Sequence, residues 1–281
     1  MNKLLKRSIT GIIYVAVVCF AISAAWYIWY VLILLIGFVL ANEFSSLMQK
    51  AGFTILKPAA SIATLFFLSA VFYVWLFART DIVFILFVSI PLVYMLVRSL
   101  FTDSLRTFIN TILVSIYVSF PLAMSGFLLL MISKSSFLSM GTELFHSAYR
   151  PALLLSVFVM IWVFDSFAYL SGSVFGKHKI APRISPKKSW EGLLGGLLFL
   201  FPTVFLLHRY VGIMSIPQWI GAVLIVVVAG TLGDLFISQL KRMAGAKDSG
   251  TILPGHGGLL DRFDSFLLIL PLISLYIILI A

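Results

Sequence analysis

Cysteine is almost missing from this sequence: Cys19 is the only one in 281 residues. A lone thiol makes no intrachain disulfide and no cysteine-held metal cluster. Charge is scarce as well, at 11% of residues, where soluble domains carry about 25%. That excludes an ordinary soluble globule. The apolar stretches show no period-two alternation, which excludes a transmembrane barrel. Basic residues without aromatic interleaving, and with no soluble binding module beside them, leave nucleic acid without a reader. No repeat or low-complexity tract is legible.

What the chain has instead is apolar length. Hydrophobic residues make up 62% and the mean hydropathy is +1.12. A helix crosses a ~30 Å hydrocarbon core in about 20 apolar residues, and runs such as "GIIYVAVVCFAISAAWYIWYVLILLIGFVLA" supply that length repeatedly. Lipid offers unpaired backbone groups no partner, so helices are the expected form. The pattern predicts an all-α, polytopic integral membrane protein with nine transmembrane helices, over 9–26, 28–48, 58–78, 81–98, 107–132, 151–175, 191–210, 217–241 and 261–280. They form a single membrane domain over 1–281, in which 1–150 is the less specific half. The opening "MNKLLKRSITGIIY" has the basic flank of a signal peptide, but its apolar run outlasts an h-region of about 7–15 residues, so a retained first helix is expected. Lys and Arg orient the chain. With the N-terminus cytoplasmic, only Arg79, Lys134, Arg150 and Arg209 fall outside.

Acids are costly in lipid, and only ten Asp and Glu are present. Asp81, Asp103 and Glu143 fall in loops and read as solvated. Glu43 lies near the cytoplasmic end of the second helix, where packing or snorkelling explains it as well as function does. Asp165 and Asp234 sit inside apolar helices. Asp234, Ser238 and Lys241 follow at i, i+4 and i+7, on one face that rises roughly 10 Å from inside the membrane to its surface. Asp261 and Asp264 open the last helix, where the macrodipole favours a carboxylate in any case. Asp165, Asp234 and Asp261 on three helices suit a hard divalent cation, Mg²⁺ when phosphates complete its shell; a structural cluster of salt bridges is the competing account.

Two cytoplasmic loops carry more cations than orientation requires. "GKHKIAPRISPKKSWEG" and "SQLKRMAGAKDSGTILPGHGGLLDRFD" together hold nine Lys or Arg, a density suited to anionic lipid heads or polyphosphates. "GSVFGKH" is one residue short of a P-loop and follows no strand. Gly172 and Gly176, like Gly192 and Gly196, have the GxxxG spacing of close helix packing. Intramembrane acids also suit a cation-coupled transporter, which would however need paired broken helices in two halves.

Taken whole, residues 238–264 resemble the signature of the CDP-diacylglycerol synthase, or phosphatidate cytidylyltransferase, family. The matching positions are Ser238, Lys241, Arg242, Lys247, Asp248, His256, Gly257, Gly258, Asp261, Arg262 and Asp264. The segment "DSFAYLSGSVFGKHKIAPRISPKKSWEG" resembles the family's upstream loop, with Ser189 where many members have Thr. The resemblance is specific over 165–264.

It implies transfer of a cytidylyl group from CTP to phosphatidic acid, giving CDP-diacylglycerol and pyrophosphate, within 151–281. Another lipid phosphate is the alternative acceptor. The resemblance places Lys241, Arg242, Lys247, Asp248, His256, Arg262 and Asp264 in the catalytic set. Ser238, Arg183, Lys187, Lys188, Ser189, Gly257 and Gly258 are expected at the substrates, and Asp234, Asp261 and Asp165 at Mg²⁺, with room for a second cation. Membrane lipids and a second copy of the chain are the expected partners. The inner membrane, with the N-terminus and active-site loops cytoplasmic, is the expected location.

Overall fold

A computed structural model describes residues 3–77, 80–101, 105–130, 151–253 and 257–280, with side chains from residue 9 onward. Arg79, Asp103, Lys134, Glu143, Arg150 and His256, all read from sequence above, lie outside the described residues. Nine helices occur among the described residues: α1 Lys3–Ala24, α2 Trp26–Lys50, α3 Lys57–Phe77, α4 Ile82–Leu100, α5 Leu105–Leu130, α6 Pro151–Phe175, α7 Trp190–Val211, α8 Ile216–Met243 and α9 Leu260–Ile280. Eight of them, α2 to α9, are long and apolar enough to cross a membrane, while the apolar part of α1 is the shorter Ile9–Ala24. The protein is an all-α polytopic membrane protein.

The all-α reading misses one small feature. Between α6 and α7 the chain forms an antiparallel two-stranded sheet, β1 Lys179–Ala181 and β2 Ser185–Ser189. Its Lys- and Pro-rich sequence has none of the apolar alternation that marks a strand. A second difference is that α8 runs on to Met243, so Arg242 joins Lys241 in the helix.

The contacts divide the chain into two compact units. The first comprises Met1–Arg150 and Leu240–Phe263. Here α3 packs against α2, α4 and α5. Ala59, Ala63, Phe67 and Met95 form a buried cluster with Leu56, Val88, Leu92, Phe108 and Ile112 around it. Water supplies no hydrophobic drive between helices in lipid, so small residues and polar pairs hold them. Trp29 Nε1 accordingly donates to Ser125 Oγ at 2.9 Å, and Thr107 Oγ1 to Thr54 Oγ1 at 2.9 Å. Asp81 caps α4, its carboxylate accepting from Val83 N at 3.1 Å and from Tyr73 OH at 2.8 Å.

The second unit comprises Pro151–Gln239 and Asp264–Ala281. Its tightest pairing is α6 on α7, and the two GxxxG spacings are the reason: a Cβ on Gly192 would come 3.1 Å from Gly172 Cα and 2.7 Å from Ala168 O. Phe167 stacks on Phe199 with ring centroids 3.7 Å apart. Tyr276 OH donates to Gln218 O at 2.9 Å, tying α9 to α8.

Candidate active site

In the second unit the basic hairpin meets the acid of α8. β2 ends in Ser189, whose Oγ accepts from Gly192 N at 3.2 Å and so caps α7. That cap, one residue beyond Lys188, fixes where the lysine emerges. Lys188 Nζ lies 2.6 Å from Asp234 Oδ2, both side chains about a quarter exposed. The other carboxylate oxygen, Oδ1, accepts from Ser238 Oγ at 3.0 Å. The i, i+4 spacing on α8 therefore acts as the sequence implied. Asp234 retains unused lone pairs, since each oxygen has one partner among these contacts.

In the first unit the signature loop folds around Asp261. Lys241 Nζ donates to its Oδ1 at 2.8 Å, and both side chains are close to nine-tenths buried. Oδ2 accepts from Ser249 N at 2.9 Å, Ser249 Oγ at 3.0 Å and Gly258 N at 3.0 Å. Asp261 is at the start of α9, where N–H groups lack intrahelical partners and a carboxylate is favoured. The chain turns at Gly257, with φ +88°, a conformation that a side chain would strain. A Cβ there would also sit 2.9 Å from Asp261 Oδ2.

The sequence model of the cytidylyltransferase family matches residues 5–280. The chain belongs to that family. It is similar to the phosphatidate cytidylyltransferase of Staphylococcus aureus strain COL, 44% identical over 147 residues, which is 51% of this chain and 56% of that protein. The Haemophilus influenzae protein of the same name is 43% identical over 137 residues, 47% of this chain and 48% of the relative. The Staphylococcus epidermidis one is 40% identical over 146 residues, 51% and 56% of the two chains. The chain spans about half the length of the curated relatives it matches.

For this cytidylyltransferase-family chain, Lys241 and Asp261 are paired, as are Lys188 and Asp234. Ser238 serves Asp234, and Gly257 and Gly258 line the Asp261 turn. Asp165 is exposed on α6 and Asp264 is buried at the start of α9, where its Oδ1 accepts from Ser265 N at 2.8 Å. Arg183, Lys187, Arg242, Lys247, Asp248 and Arg262 are exposed. Ser189 is buried within the α6–α7 contact. No group of three or more His, Cys, Asp or Glu is placed to hold a metal ion among the described residues.

One acid that the sequence left open between packing and function is placed by the structure at the signature loop. Glu43 on α2 is 6% exposed, and its carboxylate accepts from Leu259 N, Leu260 N and Ser249 Oγ at 2.8 to 3.2 Å. The available signal was an acid in an apolar helix. Nothing local in the sequence linked it to a loop more than 200 residues away.

Proposed function

We propose that the protein is a phosphatidate cytidylyltransferase, making CDP-diacylglycerol and pyrophosphate from CTP and phosphatidic acid. The observation that carries the reading is the folding of the signature around Asp261, with Lys241 at 2.8 Å in a chain whose family match runs nearly end to end.

The chemistry suits cations and carboxylates. A phosphate monoester has its second pKa near 6 and is largely dianionic at neutral pH, so the nucleophile needs no strong base. A lipid-phosphate oxygen attacks the α-phosphorus of CTP. A new P–O–P link forms there, the bond from the α-phosphorus to the β-bridging oxygen breaks, and its electron pair leaves on pyrophosphate. The barrier lies in bringing polyanions together and holding the charge that develops on the leaving group. Lys241 and Lys188 are oriented by Asp261 and Asp234, and an ammonium held by a carboxylate is placed in advance for an incoming phosphate. Arg242, Lys247 and Arg262 in the first unit, and Arg183 and Lys187 in the second, are exposed cations available to phosphates.

Mg²⁺ belongs to this reading as well, and the donor chemistry fits. Asp234 has oxygens with spare lone pairs, while Asp261 has Oδ1, its Oδ2 being engaged by three donors. Asp234, Asp261 and Asp165 are the carboxylates that would be offered to the ion, each a candidate on its own helix, and the reading leaves room for a second cation. When bound, Mg²⁺ neutralises phosphate charge and stabilises the departing pyrophosphate. The site faces the cytoplasm in the inner membrane, where CTP and the lipid headgroup both reach it. Homodimerisation is part of the reading.

Two labels test the reaction. With CTP labelled at the α-phosphorus, label should enter the lipid fraction only when phosphatidic acid is present; with CTP labelled at the γ-phosphorus, it should leave as pyrophosphate. Lipid labelling from γ-labelled CTP would mean a kinase reaction and contradict the proposal.

A further inference from the structure

Glu43 has no part in the chemistry above, yet this single acid of α2 accepts three hydrogen bonds. An ionisable group within an apolar helix is costly, and here the compensation comes from the signature loop. Glu43 Oε1 accepts from Leu259 N at 3.1 Å, and Oε2 from Leu260 N at 2.8 Å and Ser249 Oγ at 3.2 Å. The two amides open α9 and have no carbonyl of their own helix to bond. Glu43 thus caps α9 from another helix and lies at the positive end of its dipole.

The loop is shaped to admit this carboxylate. A Cβ on Gly258 would lie 2.5 Å from Glu43 Oε2, and one on Gly250 would strike Oε1. Ser249 stands between two acids, its Oγ 3.2 Å from Glu43 Oε2 and 3.0 Å from Asp261 Oδ2. Gly258 N, next to Leu259, donates to Asp261 Oδ2 at 3.0 Å. Three successive amides are thus divided between the two carboxylates, Gly258 N to Asp261 and Leu259 N and Leu260 N to Glu43, and a shift of either acid moves the other's donors.

We propose that Glu43 is a positioning residue for the catalytic loop: by holding Ser249, Leu259 and Leu260 it fixes Asp261 in the orientation that presents Oδ1 to Lys241. The kinetic consequence rests on the cytidylyltransferase reading; the structural consequence does not. Glu43→Gln keeps the shape but turns an amide NH₂ toward a backbone donor, which leaves at least one of the two α9 amides unpaired.

Hydrogen exchange followed by mass spectrometry on the detergent-purified full chain reads those amides directly, alongside steady-state turnover of CTP and phosphatidic acid. In Glu43→Gln, peptides spanning 257–263 should exchange about tenfold faster, as expected for lowered local opening free energy, while peptides of α3 stay unchanged. Turnover should fall about tenfold in kcat at an unaltered elution volume. Unchanged exchange would overturn the proposal, and so would faster exchange with wild-type kcat, since the contact would then not serve turnover. If Glu43→Gln does not fold, Ser249→Ala removes only the hydroxyl between the acids and is judged by the same two readouts. If the wild type turns over no lipid phosphate, the cytidylyltransferase reading fails and the exchange result alone decides whether Glu43 holds the loop.

Discussion

Asp261 and Asp234 each hold a lysine, and in the more buried Lys241–Asp261 pair removing one partner leaves the other charge unmatched in a poorly hydrated place. Asp261→Asn replaces the oxygen charge facing Lys241 and sets an amide against the donors Ser249 N and Gly258 N. Its kcat should fall by about 10²-fold or more, the size of losses when preorganised electrostatics are removed, with the protein still recovered folded from membranes. Near-normal kcat would remove Asp261 from the reaction. Lys188→Met breaks the 2.6 Å pair with Asp234 and should lower kcat/KM about tenfold, equivalent to ~1.4 kcal/mol, while stability changes little because the pair is partly exposed. At this scale the sequence was half legible. The Asp234–Ser238 contact follows from helical spacing, and the turn around Asp261 from the signature. The partners Lys188–Asp234 and Glu43–Leu260 join distant segments, and no periodicity encodes which ones meet.

Helices were legible because lipid allows few alternatives: a long apolar run must satisfy its own backbone, and nine runs gave nine helices among the described residues. The β1–β2 hairpin was not, since "KIAPRISPKKS" owes its form to pairing across a short turn and to its anchorage beside α7. Ser189 belongs to this scale. The resemblance placed it at the substrates, whereas its hydroxyl caps α7. Ser189→Ala should cost ~1 kcal/mol of stability, seen as a lower thermal midpoint, with KM for CTP within about twofold of wild type. A large rise in KM without loss of stability would assign the hydroxyl a substrate role beside the cap. Gly257→Ala tests the loop in the opposite sense. The φ of +88° and the 2.9 Å approach to Asp261 Oδ2 predict lost turnover with the helices intact, the strain being ~1–2 kcal/mol at one residue. Wild-type kcat in that variant would show that the turn is not needed in this form.

For the whole molecule, the charge asymmetry and the proposed reaction carry one expectation, that the cationic loops face the compartment that supplies CTP. With Cys19 replaced by Ala, a cysteine introduced at exposed Lys179 or Thr251 should react with a membrane-impermeant thiol reagent only in inverted vesicles. Labelling in right-side-out cells would reverse the topology and contradict the cytoplasmic site. The most direct measurement is pyrophosphate release by the detergent-purified chain given CTP and phosphatidic acid, with Mg²⁺ supplied or chelated and with other lipid phosphates as parallel acceptors. The account predicts release that requires CTP, phosphatidic acid and Mg²⁺ together and stops on chelation. Folded protein that releases pyrophosphate with another lipid phosphate but not with phosphatidic acid, or with none, would contradict it.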